Sequence, residues 1–167
     1  LQRVSGLGDE IFITTNNPRN YLEFGIPLYR DVQPGKGALG GLLTALSSAQ
    51  NPFLIVVACD MPFVNPDLLA LALDHLQSLK VDVVIPQSKN GYEPFHAVYR
   101  REACLPAVQS ALDSGERRLI SWFSAVDVLP IGEDVLLKYD PRQVAFWNVN
   151  TETDLQRAEQ YAQDFGL

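Results

Sequence analysis

The sequence predicts an α/β domain built on a mostly parallel sheet, and three observations carry that expectation. The first is Phe53-Leu54-Ile55-Val56-Val57-Ala58-Cys59, seven apolar or small residues without polar alternation, which reads as a strand covered on both faces. The second is the alternation of strand-like with helix-like segments along the first half of the chain. The third is the stop after the first strand: Asp60-Met61-Pro62 places a single carboxylate where the strand ends and a proline that cannot continue it. Ligands of such sheets gather beyond the carboxyl ends of the strands, so Asp60 is a candidate site residue from the start.

The elements follow in order. A strand is expected over 11–15, a helix over 39–49, the apolar strand over 53–59, a helix over 66–79 and a strand over 81–86. In the second helix Asn65 is the N-cap, Pro66 occupies the first turn and Asp67 faces the positive end of the dipole. Leu68, Leu69, Ala72, Leu73, Leu76 and Leu79 share one face, so this helix packs on the sheet. Beyond Pro86 the pattern predicts a strand over 95–99, helices over 102–113 and 119–125, and strands over 126–131 and 144–149. A last helix starts at Thr151, with Asp154 three residues on as a capping partner and Leu155, Ala158, Ala162 and Phe165 on one stripe.

With 167 residues and 47% hydrophobic content, the chain supplies one core, and a single domain over 1–167 is expected. The net charge of −7 and the absence of any long Lys/Arg cluster argue against nucleic acid or an anionic membrane as partner. An acidic protein that handles phosphates needs divalent cations. Cys59 and Cys104 have no metal-ligand spacing and read as reduced residues of a cytoplasmic protein. The apolar stretches fall short of the roughly 18 residues of a membrane span, so a soluble chain is expected. The opening residues Leu1-Gln2-Arg3-Val4 read as the tail of a helix entering the loop 5–9. A strand, a phosphate loop and most of a first helix, about 30 residues, are therefore expected upstream of the first residue.

Four clusters could carry chemistry. Asp60 could hold Mg²⁺, a hard ion that takes oxygen ligands and shares its shell with substrate phosphates; the plainer alternative is an Asp capping a turn or helix. The loop Asp31-Val32-Gln33-Pro34-Gly35-Lys36-Gly37-Ala38-Leu39-Gly40-Gly41 enters a helix and lets backbone approach a ligand, with Asp31 accepting from a base or sugar and Lys36 offsetting phosphate charge. An ordinary surface turn explains it equally. Thr14-Thr15-Asn16-Asn17-Pro18 ends a short strand in hydrogen-bonding side chains, although Asn-Pro is also a common turn start. Asn148-Val149-Asn150-Thr151 precedes the last helix and could bind or merely cap it. His75 and His96 have no nucleophile and carboxylate arranged beside them and are read as structural, and Arg117-Arg118 as a solvated helix entrance.

In this order, Asp31, Gly37-Ala38-Leu39-Gly40-Gly41, Cys59-Asp60-Met61-Pro62, Pro94-Phe95-His96-Ala97-Val98-Tyr99-Arg100, Gly115-Glu116-Arg117-Arg118 and Asn148-Val149-Asn150-Thr151 resemble the molybdenum cofactor guanylyltransferases. The resemblance spans nearly the whole chain and implies a Rossmann-like, three-layer nucleotidyltransferase fold with a mostly parallel central sheet. It implies transfer of GMP from GTP to molybdopterin or the molybdenum cofactor, with release of pyrophosphate. Asp60 would then be the catalytic and metal residue for Mg²⁺ and touch nucleotide. Asp31, Gly40 and either Thr14 or Asn16 would bind the nucleotide, and Asn148 and Asn150 the pterin substrate. Hand-over among cofactor-biosynthesis proteins and molybdoenzymes is also implied. Two features depart from the family: Ala38 stands where proline is usual, and the N-terminal glycine-rich signature that cradles the triphosphate is absent from this sequence. The second implies weak nucleotide binding by this chain alone. A CTP-dependent relative and a non-catalytic nucleotide-binding domain are the competing readings.

Overall fold

The computed structural model describes residues 1–166. A two-stranded parallel sheet pairs β1 (Ile13–Thr14) with β2 (Leu28–Tyr29) across a connection that includes a 3-10 helix, Pro18–Phe24. The main sheet contains β3 (Phe53–Val57), β4 (Val83–Ser88), β5 (Gly91–Tyr92), β6 (His96–Arg100) and β7 (Val128–Ile131). In it β6 lies between β3 and β4 and runs antiparallel to both, while β7 lies parallel to β4. So β3, β4 and β7 share one direction, as the α/β pattern predicts, while β6 and the short hairpin strand β5 run against them.

The three layers follow from the pleat. Val83 and Ile85 of β4 and Ala97 and Tyr99 of β6 point to the face covered by α1 (Gly37–Ser48) and α3 (Arg101–Asp113). Val84 and Val98 point to the other face, against α2 (Pro66–Ser78) and Leu136 of α4 (Glu133–Tyr139). Leu39, Leu42, Leu43 and Leu46 of α1 are all at most 1% exposed, which makes this helix the centre of the larger core. The final helix α5 (Glu152–Phe165) begins with the expected capping box, Thr151 and Asp154 each bonding the other's backbone. The adjacent Arg100 and Arg101 form no anion-binding patch: their guanidinium groups donate to the carbonyls of Leu76, Val81 and Leu46 and tie the sheet to its helices.

Three expectations are corrected. The apolar strand is covered on both faces as expected, Leu54 and Val56 packing on one core and Phe53 and Ile55 on the other, but it is only half-buried, because β3 pairs with β6 on one edge and with no described strand on the other. Residues 144–149 form no strand. Asp140 Oδ2 accepts from Ala145 N at 2.7 Å and Val144 O from Trp147 N at 3.0 Å, so local bonds consume the groups a ladder would need. Residues 119–125 are turns ending in a short 3-10 helix, Phe123–Ala125. The helix α4 and the β4–β5 hairpin have no counterpart among the expected elements, although Asn90-Gly91 between Ser88 and Tyr92 is a hairpin signal.

Candidate active site

Asp60 lies three residues past β3, half-buried, at the carboxyl end of the strand that the sequence aims at it. Its link to the rest of the fold is through the backbone: Val149 N donates to Asp60 O at 2.8 Å. The helix that follows is capped by Asn65, whose Oδ1 accepts from Leu68 N at 3.0 Å, so Asp60 is not the cap. No group of three or more His, Cys, Asp or Glu side chains able to hold a metal occurs among the described residues. A hard divalent cation held by one or two carboxylates plus substrate phosphates needs no such group, so Asp60 fits that mode of binding. Next to it Cys59 is exposed, and its thiol beside the Tyr21 hydroxyl pushes that phenol above its ordinary value.

The parallel pairing of β1 and β2 brings together two candidates fifteen residues apart. Asn16 Nδ2 donates to Asp31 Oδ2 at 2.6 Å and Asp31 N donates back to Asn16 Oδ1 at 3.3 Å. Thr14 sits instead within β1, opposite Tyr29. The glycine loop after Asp31 folds back on the start of α1. Gly37 has φ +61°, a left-handed conformation, and Gly40 is buried because Lys36 and the Gln33 carbonyl lie where its Cβ would be. Thr44, fully buried, closes the arrangement: its Oγ1 accepts from Val32 N at 3.0 Å and donates to Gly40 O at 2.9 Å. Arg117 reaches the same loop, donating to Gly35 O at 3.3 Å.

On the other side of Asp60, Asn148 and Asn150 flank Val149 and are exposed. The capping reading holds for Thr151, whose hydroxyl accepts from Asp154 N; Asn150 joins that cap through its backbone N–H, which donates to Asp154 Oδ2 at 3.3 Å. The segment leading to them is braced from beneath. Asn65 Nδ2 donates to Tyr139 O at 2.8 Å, and Asn65 N donates to His96 Nε2 at 3.1 Å. His96 is 1% exposed, its Nδ1 has no partner among the described residues, and its ring meets Phe146 edge-on at 5.2 Å.

Burial lowers the His96 imidazole from 6.5 to about 4, against smaller opposing effects of its own backbone and the Asp140 carboxylate. Between those values the unfolded chain binds a proton that the folded chain refuses, so this contribution to stability is complete above pH 6.5 and is lost as pH falls toward 4. Denaturant unfolding across that window should show a loss of about 3 kcal/mol from this group. His96→Asn should flatten that part of the pH dependence; an unchanged slope would show that His96 is protonated in the fold.

A three-layer α/β sheet with a lone carboxylate past one strand, a glycine loop entering the first helix and polar side chains on both flanks suits a phosphorylated ligand held partly through a hard cation, and comparison with known proteins places the chain among the nucleotidyltransferases. The description MobA-like NTP transferase domain matches residues 1–128. The molybdenum cofactor guanylyltransferase of Desulfosudis oleivorans is 33% identical over 156 residues, 93% of this chain and 76% of that protein. Molybdopterin-guanine dinucleotide biosynthesis protein A from Archaeoglobus fulgidus superposes with a TM-score of 0.77 at 25% identity, covering 92% of this chain and 78% of that one. The 2-C-methyl-D-erythritol 4-phosphate cytidylyltransferase of Thermus thermophilus shares the fold, with a TM-score of 0.67 at 15% identity over 93% of this chain and 83% of that one. The chain belongs to the molybdenum cofactor guanylyltransferase family.

Proposed function

We propose that the protein transfers the GMP unit of GTP to the terminal phosphate of molybdopterin, or of its metal-loaded form, and releases pyrophosphate. An oxygen of the acceptor phosphate attacks the α-phosphorus in line; the new P–O bond forms as the bond to the β-phosphate bridge breaks, and its electron pair leaves with pyrophosphate. Such a step asks the protein mainly for positioning and charge neutralisation. Asp60 would hold Mg²⁺, which when bound offsets the charge of the phosphates. Asp31 and Asn16, already bonded to each other, would take the base, with the loop seated on Gly40 closing over the nucleotide. Lys36 offsets phosphate charge at the same loop, and Asn148 and Asn150 face the acceptor.

The observation that supports this reading is the Val149–Asp60 backbone bond, which holds the segment bearing Asn148 and Asn150 beside Asp60. The half-open edge of β3 supports the further reading that a strand bearing the family's triphosphate-binding loop adds there. The free cysteines Cys59 and Cys104 are in keeping with a reducing, cytoplasmic setting. No helix among the described residues is long and apolar enough to cross a membrane.

The test is a coupled assay of pyrophosphate release with molybdopterin as acceptor and GTP or CTP as donor. Release that depends on acceptor, Mg²⁺ and GTP is expected. Preference for CTP would reassign the donor, and no release with either would overturn the enzymatic reading.

A further inference from the structure

The turn that follows α4 leads into three anchors within four residues, each on a different neighbour. Phe146 meets the buried His96 ring edge-on at 5.2 Å. The ring of Trp147 has other partners, Phe63 at 5.6 Å and Tyr161 at 5.7 Å. Val149 is then tied by its amide to Asp60 O at 2.8 Å. With 146, 147 and 149 committed, the exposed residues of the segment are Asn148 and Asn150.

One hydrogen bond between two loops leaves them free to pivot about it, and a second point of contact removes that freedom. Phe63 supplies the second point. It lies three residues after Asp60, is 5% exposed, and its ring meets Tyr161 at 5.4 Å as well as Trp147. The three rings form a closed triangle, with one corner from the Asp60 loop, one from the segment of Asn148 and Asn150, and one from α5. Tyrosine and its aromatic neighbours are stiff and pair at preferred tilts, so such a triangle fixes relative position more narrowly than aliphatic contacts do. α5 contributes little else to the core: Ala158 is its buried residue, while Leu155 and Phe165 are 41% and 47% exposed. Its second grip is on the same turn, where the Arg142 guanidinium stands 4.0 Å over the Phe165 ring, itself 4.5 Å from Tyr161.

We infer that Tyr161 is a positioning residue for the transfer: by closing the triangle with Phe63 and Trp147 it sets the placement of Asn148 and Asn150 relative to Asp60. It acts through the two loops rather than on a substrate. The Asp31–Asn16 pair stands on the separate β1–β2 sheet, so the nucleotide end of the site is independent of the triangle. The inference rests on the function proposed above, which gives these loops their roles.

Tyr161→Leu removes the ring from a half-buried position and keeps an apolar helix former, so the chain still folds. Steady-state kinetics should show KM for molybdopterin raised about tenfold, with kcat and KM for GTP within about twofold of the wild type. Amide hydrogen exchange gives a readout apart from activity: the Val149 N–H should exchange about tenfold faster in this variant. Tyr161→Phe keeps the ring and should restore both values. Gln156→Gly, at an exposed position of α5, weakens the helix without removing a ring and should move neither. An unchanged acceptor KM or an unchanged Val149 exchange in Tyr161→Leu would overturn the inference. So would an equal response to Gln156→Gly, or a Tyr161→Phe variant no better than Tyr161→Leu. If the wild type performs no transfer, the proposed reaction fails and Val149 exchange alone decides the role of Tyr161: faster exchange in Tyr161→Leu retains it, and unchanged exchange strikes it.

Discussion

Asp60→Asn lowers kcat/KM for guanylyl transfer by on the order of 10³ or more and leaves the unfolding free energy within about 0.5 kcal/mol of the wild type. The two halves of that expectation have separate physical origins. Asparagine keeps the size and shape of the side chain but removes the charge that would hold a hard cation against phosphate oxygens. The fold does not depend on that charge, because Asp60 is bonded into the structure through its carbonyl, which accepts from Val149 N at 2.8 Å and is untouched by the substitution. The start of α2 is equally indifferent, since Asn65 caps it. Steady-state kinetics across a Mg²⁺ series, together with urea unfolding of the same preparation, checks both halves. Retained activity would remove Asp60 from the centre of the mechanism, and a large loss of stability would restore the reading of a structural turn residue.

The parts of this fold legible in the sequence are those whose signals are local. Asn65-Pro66-Asp67 announces α2, Thr151 with Asp154 announces α5, and the uninterrupted apolar run announces β3, because each depends on contacts within a few residues. Strand direction is not local. Nothing in His96–Arg100 distinguishes a parallel from an antiparallel neighbour, so the reversal of β6 emerges only from the chain's path. Residues 144–149 show the opposite failure: their composition suits a strand, yet the Asp140 carboxylate captures Ala145 N and turns the backbone first. That turn is what places Phe146 against His96, Trp147 against Phe63 and Tyr161, and Val149 on Asp60.

The site shows the same division. Asp60 stands out alone because a strand points at it. Asp31 and Asn16 are individually ambiguous, each readable as a turn residue, and become a unit only when β1 and β2 pair in parallel and bring their carboxyl ends side by side. In the sequence Gly40 stands in a loop whose backbone can approach a ligand, but in the structure it acts by what it lacks: the missing Cβ is the space into which Lys36 and the Gln33 carbonyl settle.

That last point gives the second large effect, and it comes with an internal control one residue away. An alanine Cβ at Gly40 would lie 2.7 Å from Lys36 Cβ and 3.3 Å from Gln33 O, so the loop must lift off α1. Lifting it stretches the two bonds of Thr44, to Val32 N and Gly40 O, and displaces Asp31 at the head of the loop. Overpacking of this kind costs about 1–3 kcal/mol, against which better helix propensity returns up to about 1 kcal/mol. Gly40→Ala is therefore expected to destabilise the protein by about 1–2 kcal/mol and to raise KM for GTP about tenfold with a much smaller change in kcat. Gly41 lies in the same helix, and apart from that helix's own backbone no described residue comes within 4 Å of its Cβ position. There the same substitution meets no obstacle, and Gly41→Ala should stabilise by about 0.5–1 kcal/mol. Urea unfolding of the two variants beside GTP saturation kinetics distinguishes the causes: opposite signs of stability with KM raised only at Gly40 would mean that the nucleotide loop is seated by that one absent methyl group, whereas parallel behaviour would reduce both glycines to helix propensity.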